Sequence, residues 1–179
     1  MFKILDEVCT PRRGTKYSAY VDLFAREDVV IGAGETKIVK LGVKLNIEML
    51  VYEYFSQLPF DYVIKNNINS ANDFLKSHYL EVALRSSLGV KGLIIANGIG
   101  IIDLDYPDEI GLIVHNPVDL NFICDYLANN DYKKYSNFKI SKGDKVAQCT
   151  LKEHKGYLMG YETEIVRVGG FGSTDNKVL

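Results

Sequence analysis

GIIDLDY, Gly100 to Tyr106, closes an apolar run that begins at Gly92 and decides how the rest of the chain reads. GLIIANGIGIID places a single carboxylate, Asp103, where a strand-like segment meets the turn-like LDYPDE, with Tyr106 three residues on. A carboxylate at the mouth of a buried segment is held rigidly and partly desolvated, which suits a general base that takes a proton from water. Taken singly these residues have plainer readings. Asp103 could cap a turn, Tyr106 could pack at a strand edge, and Asn97 before Gly98 could simply turn the chain. Three other segments shift that balance. RSSLGVKG sets Arg85 beside Ser86 and Ser87, a fork-shaped cation and two hydroxyls that can cradle phosphate oxygens. GDKVAQ ends in Gln148, whose amide can reach a polar ligand, and Asn97 carries the donors and acceptors that read a pyrimidine edge. GGFGST near the C-terminus adds glycine-exposed amides, the hydroxyls of Ser173 and Thr174, and Phe171 for stacking on a base, with Arg167 nearby. One positioned acid, one aromatic and several anion-holding groups are what hydrolysis of a nucleoside triphosphate requires.

Working outward, the chain is a succession of short apolar segments punctuated by glycine. FKILDE, YVDLFA, ETKIVKLGVKLNI, YLEVALR, GLIIANG, EIGLIVHN, FKIS and KVAQCTLKE are rich in Val, Ile, Leu, Phe and Tyr, some alternating and some continuously apolar. That pattern predicts a mainly β sandwich or barrel. Two stretches interrupt it. Asn46 to Tyr79 turns polar, and Ser70 with Asp73 stands at capping spacing ahead of Phe74 and Leu75, which predicts a short helical insertion at about 48–79. A second loop insertion, about 117–137, carries Leu120, Ile123 and Leu127 at helical spacing. The expected organisation is a single β domain over 1–164 and a flexible glycine-rich arm over 165–179 that closes over the site.

The 179 residues suffice for one domain, which should bury roughly 70% of the surface its unfolded chain exposes. A formal charge of -2 gives no general attraction for polyphosphate backbones, so stable nucleic-acid binding is not expected. Cys9, Cys124 and Cys149 are widely spaced, which predicts free thiols in a reducing compartment. His78, His115 and His154 show no metal-ligand spacing. Any metal should be an oxygen-loving ion carried mainly by substrate phosphates, as Mg²⁺ is. No run approaches the roughly 18 apolar residues of a membrane span, and the expected location is the cytoplasm, of a cell or of a virus-infected host.

At this point the chain resembles the trimeric dUTPase family, the dUTP diphosphatases. Five motifs occur in order: AYVDLFA at Ala19 to Ala25, RSSLGVKG at Arg85 to Gly92, NGIGIIDLDY at Asn97 to Tyr106, GDKVAQ at Gly143 to Gln148, and RVGGFGST at Arg167 to Thr174. The resemblance implies a distorted jelly-roll (β-clip) subunit, a homotrimer with active sites built from more than one chain, and hydrolysis of dUTP to dUMP and pyrophosphate. Asp103 would activate the water that attacks the α-phosphorus. Tyr106 would pack on the deoxyribose and exclude a 2′-hydroxyl, while Asn97 and the neighbouring backbone of Gly100 and Ile102 would read uracil. Arg85, Ser86, Ser87 and Gln148 would hold phosphates, and Asp22 would place Mg²⁺ through water. In the arm, Phe171 would lie on the uracil, with Arg167, Gly172, Ser173 and Thr174 near the phosphates. Departures from the family pattern are Tyr20 for a usual glycine, Leu84 for a proline, Pro107 with Asp108 for Arg-Gly, and Arg167 one residue closer to the paired glycines.

Two other functions fit parts of this pattern. A dCTP deaminase also carries Arg-Ser-Ser and an apolar run ending in Asp, but it needs a glutamate where this chain has Ile113, ahead of Asn116. A regulatory nucleotide-binding protein could use the insertions to grip a protein partner, since YEYFSQLPFDYVI at Tyr52 to Ile64 could form a sticky aromatic surface.

Overall fold

The computed structural model describes residues 1–57, 70–117, 124, 127–128, 137–160, 167 and 169–170. The rows of Val, Ile and Leu form short strands named in chain order: β1 Phe2–Ile4, β2 Arg12–Arg13, β3 Val21–Phe24, β4 Val29–Gly32, β5 Thr36–Lys40 and β6 Val43–Leu45. They continue with β7 His78–Leu84, β8 Ile94–Ile95, β9 Gly100–Asp103, β10 Gly111–His115, β11 Asn137–Ile140 and β12 Lys145–Glu153. Every pairing among the described residues is antiparallel. The largest sheet runs β2-β3-β12-β7-β9 and faces a sheet ordered β5-β10-β8, with the pairs β1-β6 and β4-β11 beside them. Side chains alternate across a strand, so β7 sends Leu80 and Val82 inward to meet Leu23, Val39, Leu112 and Val114 in the main core. Its odd-numbered residues Tyr79, Glu81 and Ala83 take the other face. Ala147 and Val146 are both buried at a register irregularity after Lys145, a bulge that re-aims the start of β12.

The long apolar run that opened the sequence reading does not form one strand. Asn97 and Gly98 break it, Gly98 adopting the positive φ of 78° that a side chain would resist. As a result β8 pairs with β10 in one sheet while β9 pairs with β7 in the other.

Among the described residues, the helices α1 Ile47–Gln57 and α2 Ala71–Ser77 interrupt the β pattern. Ser70 caps α2: its Oγ accepts from the Asp73 amide at 3.1 Å and donates to the Asp73 carboxylate at 2.9 Å. Phe74 is fully buried in a second, smaller core with Leu50 and Leu104, where Tyr54 and Phe55 also pack. Tyr54 and Phe55 from the aromatic stretch therefore face their own domain, Tyr52 is exposed, and residues 58–64 lie outside the described residues. His78 stacks on Phe74 with ring centroids 4.5 Å apart, and burial holds its imidazole below the usual pKa. Of the second loop, Leu120 and Ile123 lie outside the described residues. Cys9, Cys124 and Cys149 are free thiols, and burial pushes Cys149 up to about 12. Among the described residues no helix is long and apolar enough to cross a membrane.

Candidate functional site

The outer face of the five-stranded sheet carries Asp22, Gln148 and Asp103 of the polar side chains singled out by sequence. Cross-strand register sets Arg12 opposite Asp22, Asp22 opposite Gln148, Gln148 opposite Ala83, Glu81 opposite Thr150, and Tyr79 opposite Asp103. Directly opposed residues share a face, so Asp22, Gln148, Glu81 and Asp103 all project from it.

One end of this face is a cluster of interlocked charges. Asp22 is only 7% exposed, and two cations converge on it: Arg85 Nε at 3.3 Å from Oδ1 and Lys145 Nζ at 3.0 Å from Oδ2. Arg85 follows β7, and the next residues Ser86–Gly89 form a single helical turn, α3, that leaves Ser86 and Ser87 exposed beside it. Gln148 is half-buried on the neighbouring strand. An arginine, a lysine, two hydroxyls and an amide around one carboxylate can receive phosphate oxygens or hydrated cations. Lys145, not singled out from sequence, belongs here, and its signal was only its place at the head of the strand that carries Gln148.

The other end is built on β9 and the turn that follows. Gly100 is buried against Val82, and Ile102 is half-buried. Both line a cavity of about 150 Å³ together with Asn97, Tyr106, Ile113 and Arg167. Tyr106 is 8% exposed, and burial raises its phenol above the usual pKa. Asp103 corrects the sequence reading. It is not desolvated: its side chain is 58% exposed in the single chain, because β9 is the edge strand of its sheet and the turn beyond it opens to solvent.

Arg167 does not join Arg85 and Gln148; its Nη1 lies 2.8 Å from Asp103 Oδ2 and 3.6 Å from Asp105 Oδ1, and its guanidinium stands over the Tyr106 ring at 5.7 Å. Gly170 lies so close to that ring that a β-carbon would collide with it. Phe171, Gly172, Ser173 and Thr174 lie outside the described residues.

Among the described residues no group of three His, Cys, Asp or Glu side chains is arranged to hold a metal ion. A lone, cation-paired Asp22 fits a hydrated ion that arrives on a ligand better than an ion gripped by protein alone. Ile113 on β10, opposite Ile38, puts an apolar side chain at the position where deamination needs a proton carrier.

No protein-family model matches the chain. Curated relatives do. It is 29% identical over 171 residues to the deoxyuridine 5′-triphosphate nucleotidohydrolase of Rickettsia akari, covering 92% of this chain and 86% of that protein. It is 27% identical over 166 residues to the enzyme of the same name from variola virus, covering 93% and 78%. Identity to the one from Paramecium bursaria Chlorella virus 1 is 25% over 177 residues, covering 96% and 94%. Among solved structures, the dUTPase from phage phi11 of S. aureus superposes with a TM-score of 0.58 at 20% identity, covering 97% of each chain. The dUTPase from Streptococcus mutans gives 0.55 at 21%, covering 85% of this chain and 94% of that one. The mainly β, jelly-roll architecture is thus shared with these proteins.

Proposed function

We infer that this chain, which belongs to the dUTPase family, hydrolyses dUTP to dUMP and pyrophosphate. The observation that carries the reading is the division of the outer sheet face into an Asp22–Arg85–Lys145–Gln148 end and an Asp103–Tyr106–Asn97 end. The first has the chemistry of a triphosphate and its counter-ion, the second that of a nucleoside with one base to activate water. Neither deamination nor a purely regulatory role accounts for both ends, since the position a deaminase needs is Ile113.

The two ends are too far apart to serve one phosphate within one chain. Asp22 and Asp103 are separated by three strand spacings and four residues of register, roughly 14 Å across and roughly 13 Å along the strands. A base and a metal-placing carboxylate that act on the same triphosphate must converge within a few ångströms of it. The complete site is therefore shared between copies of the chain, and a closed homotrimer lets every copy give one end to each neighbour. The exposure of Asp103 follows: it is the edge that a neighbouring copy covers.

In that assembly Asp103 accepts a proton from a water aligned behind the α-phosphorus, as the water oxygen bonds to phosphorus and the bond to the pyrophosphate oxygen breaks. Tyr106 packs on the deoxyribose, and a 2′-hydroxyl would press into a ring already backed by Arg167 and Gly170. Asn97 with the backbone at Gly100 and Ile102 reads the uracil edge. Arg85, Ser86, Ser87 and Gln148 hold phosphates. Arg167 leaves Asp103 when substrate arrives and turns to the phosphates, while the arm, with Phe171, Gly172, Ser173 and Thr174, closes the site. Exposed ion pairs such as Arg167–Asp103 are weak, so this exchange has a low barrier. Mg²⁺ carried on the triphosphate, with Asp22 meeting it through water, would neutralise phosphate charge; a structure of a mutant of the phi11 phage dUTPase reveals the coordination of a structural Mg(II) ion in that protein. Residues 1–164 act as one β domain and 165–179 as its arm, in a cytoplasmic setting.

The test is direct. Purified protein with Mg²⁺ and, separately, dUTP, dCTP, dTTP and UTP should yield dUMP and pyrophosphate from dUTP alone. Ammonia release from dCTP, or binding of dUTP with no turnover, would replace this reading with one of its rivals.

A further inference from the structure

Three carboxylates project from the outer sheet face, and the middle one is unlike the others. Asp22 meets Arg85 and Lys145, and Asp103 meets Arg167. Glu81 is 9% exposed, and among the described residues no lysine or arginine forms an ion pair with it. Its two oxygens are met instead by two phenols: Tyr20 donates to Oε1 and Tyr79 donates to Oε2 at 3.1 Å. Those bonds hold the carboxyl below its usual range, and the Tyr20 phenol is pushed up to about 12. A buried charge satisfied by two neutral donors has little freedom, because losing either leaves a desolvated oxygen unmet.

The position of this group gives it a use. Along β7, Glu81 stands two residues from Ala83, whose row leads through Gln148 to Asp22, and two residues from Tyr79, whose row leads to Asp103. Tyr79 belongs to the second of those rows, and Tyr20 sits on the segment that leads into the Asp22 strand. Tyr20 lies two residues before Asp22 and points to the same face, whereas Tyr79 is the direct cross-strand neighbour of Asp103. From β3 to β7 the span is two strand spacings, roughly 10 Å, so only a long side chain at position 20 can reach Glu81. The glycine usual at that position in the family cannot.

We propose that Tyr20, Glu81 and Tyr79 form a carboxylate clamp of positioning residues that holds the Asp22 strand and the Asp103 strand in fixed relation. The clamp rests on the dUTP-hydrolysis reading for what it positions. Because its two arms reach different ends of the site, they should fail differently. Tyr79→Phe removes only the hydroxyl that meets Glu81, on the residue paired across the strands with Asp103, and should lower kcat roughly tenfold with KM within about twofold of the parent. Tyr20→Phe loosens the Asp22 end and should raise KM for dUTP, and the Mg²⁺ concentration needed for half-maximal rate, about three- to tenfold with kcat nearly kept. Glu81→Gln should show both effects, and Tyr20→Phe added to it should cost nothing further.

Amide hydrogen exchange in the unliganded protein supplies a readout independent of turnover: β9 should exchange faster in Tyr79→Phe and β3 faster in Tyr20→Phe. Parental kinetics in both phenylalanine variants overturns the clamp, as does an identical loss in both that merely follows their melting temperatures. If the parent itself does not hydrolyse dUTP, the function reading and the catalytic use of the clamp fall together; unchanged exchange would then remove the strand-fixing role as well.

Discussion

The two ends of the outer sheet face differ in how complete they are. At the Asp22 end the charges are already matched inside one chain, Asp22 being nearly buried between Arg85 and Lys145 on adjoining strands. At the Asp103 end the carboxylate stands on an edge strand, open to solvent and met by an arginine from the chain's own arm. A phosphate-holding cluster tolerates water around it, whereas a general base and a sugar-reading ring work best with water excluded. On the shared-site proposal the reactive end is the unfinished one, which a second copy and a closed arm would complete.

The strongest way to break this contrast is to remove the reactive group and leave its neighbours. Asp103→Asn should cut turnover by roughly 10² to 10⁴ while dUTP binding is largely kept; near-normal turnover in a steady-state assay would transfer the base role elsewhere. Ending the chain after Val166 deletes Arg167 and Gly170 from the Tyr106 ring. That truncation should lower turnover by about 10² with little change in melting temperature, since closure acts in the bound state. A large drop in melting temperature with unchanged rate would make the arm structural. Tyr106→Ala should narrow the preference for dUTP over UTP by about tenfold, read as the ratio of kcat/KM values.

The smallest effect concerns stability, and His78 provides it. Its folded-state pKa is lowered by burial against Phe74 and Tyr54, which outweighs the opposing pull of Glu153 Oε1 at 3.8 Å from its Nε2, with His154 nearby, so the unfolded chain takes up the proton first. Stability from the neutral ring is complete above the unfolded value near 6.5 and declines as pH falls from there towards the lowered folded value. Melting temperature should drop by a few degrees from pH 7.5 to pH 5.5, and His78→Phe should flatten that slope. An equal slope in the variant would place the titration elsewhere.

Much of this was legible in the residues. Alternation in KVAQCTLKE and HYLEVAL marks two central strands, and Ser70 with Asp73 marks the start of α2, because these are local signals with local causes. VVIG at Val29 to Gly32 is too short to declare itself, and GLIIANGIGIID looks continuous until Gly98 turns it into two strands of different sheets. Site residue types could be read, but their partners could not. Nothing local says that Lys145 bends to Asp22, that Glu81 is met by Tyr20 from two strands away, or that Arg167 pairs with Asp103. Nor does the sequence announce the exposure of Asp103, which depends on β9 lying at a sheet edge.

The central claim is that each working site draws Asp103 from one copy and Arg85 from another. Asp103→Asn and Arg85→Ala proteins should each be nearly inactive alone. Unfolded together and refolded as mixed assemblies, they should recover about a quarter of parental dUTP turnover, the share of sites that receive both intact residues in a closed ring. A mixture no more active than the two variants assayed separately, despite proven mixed assembly, would contradict the shared site.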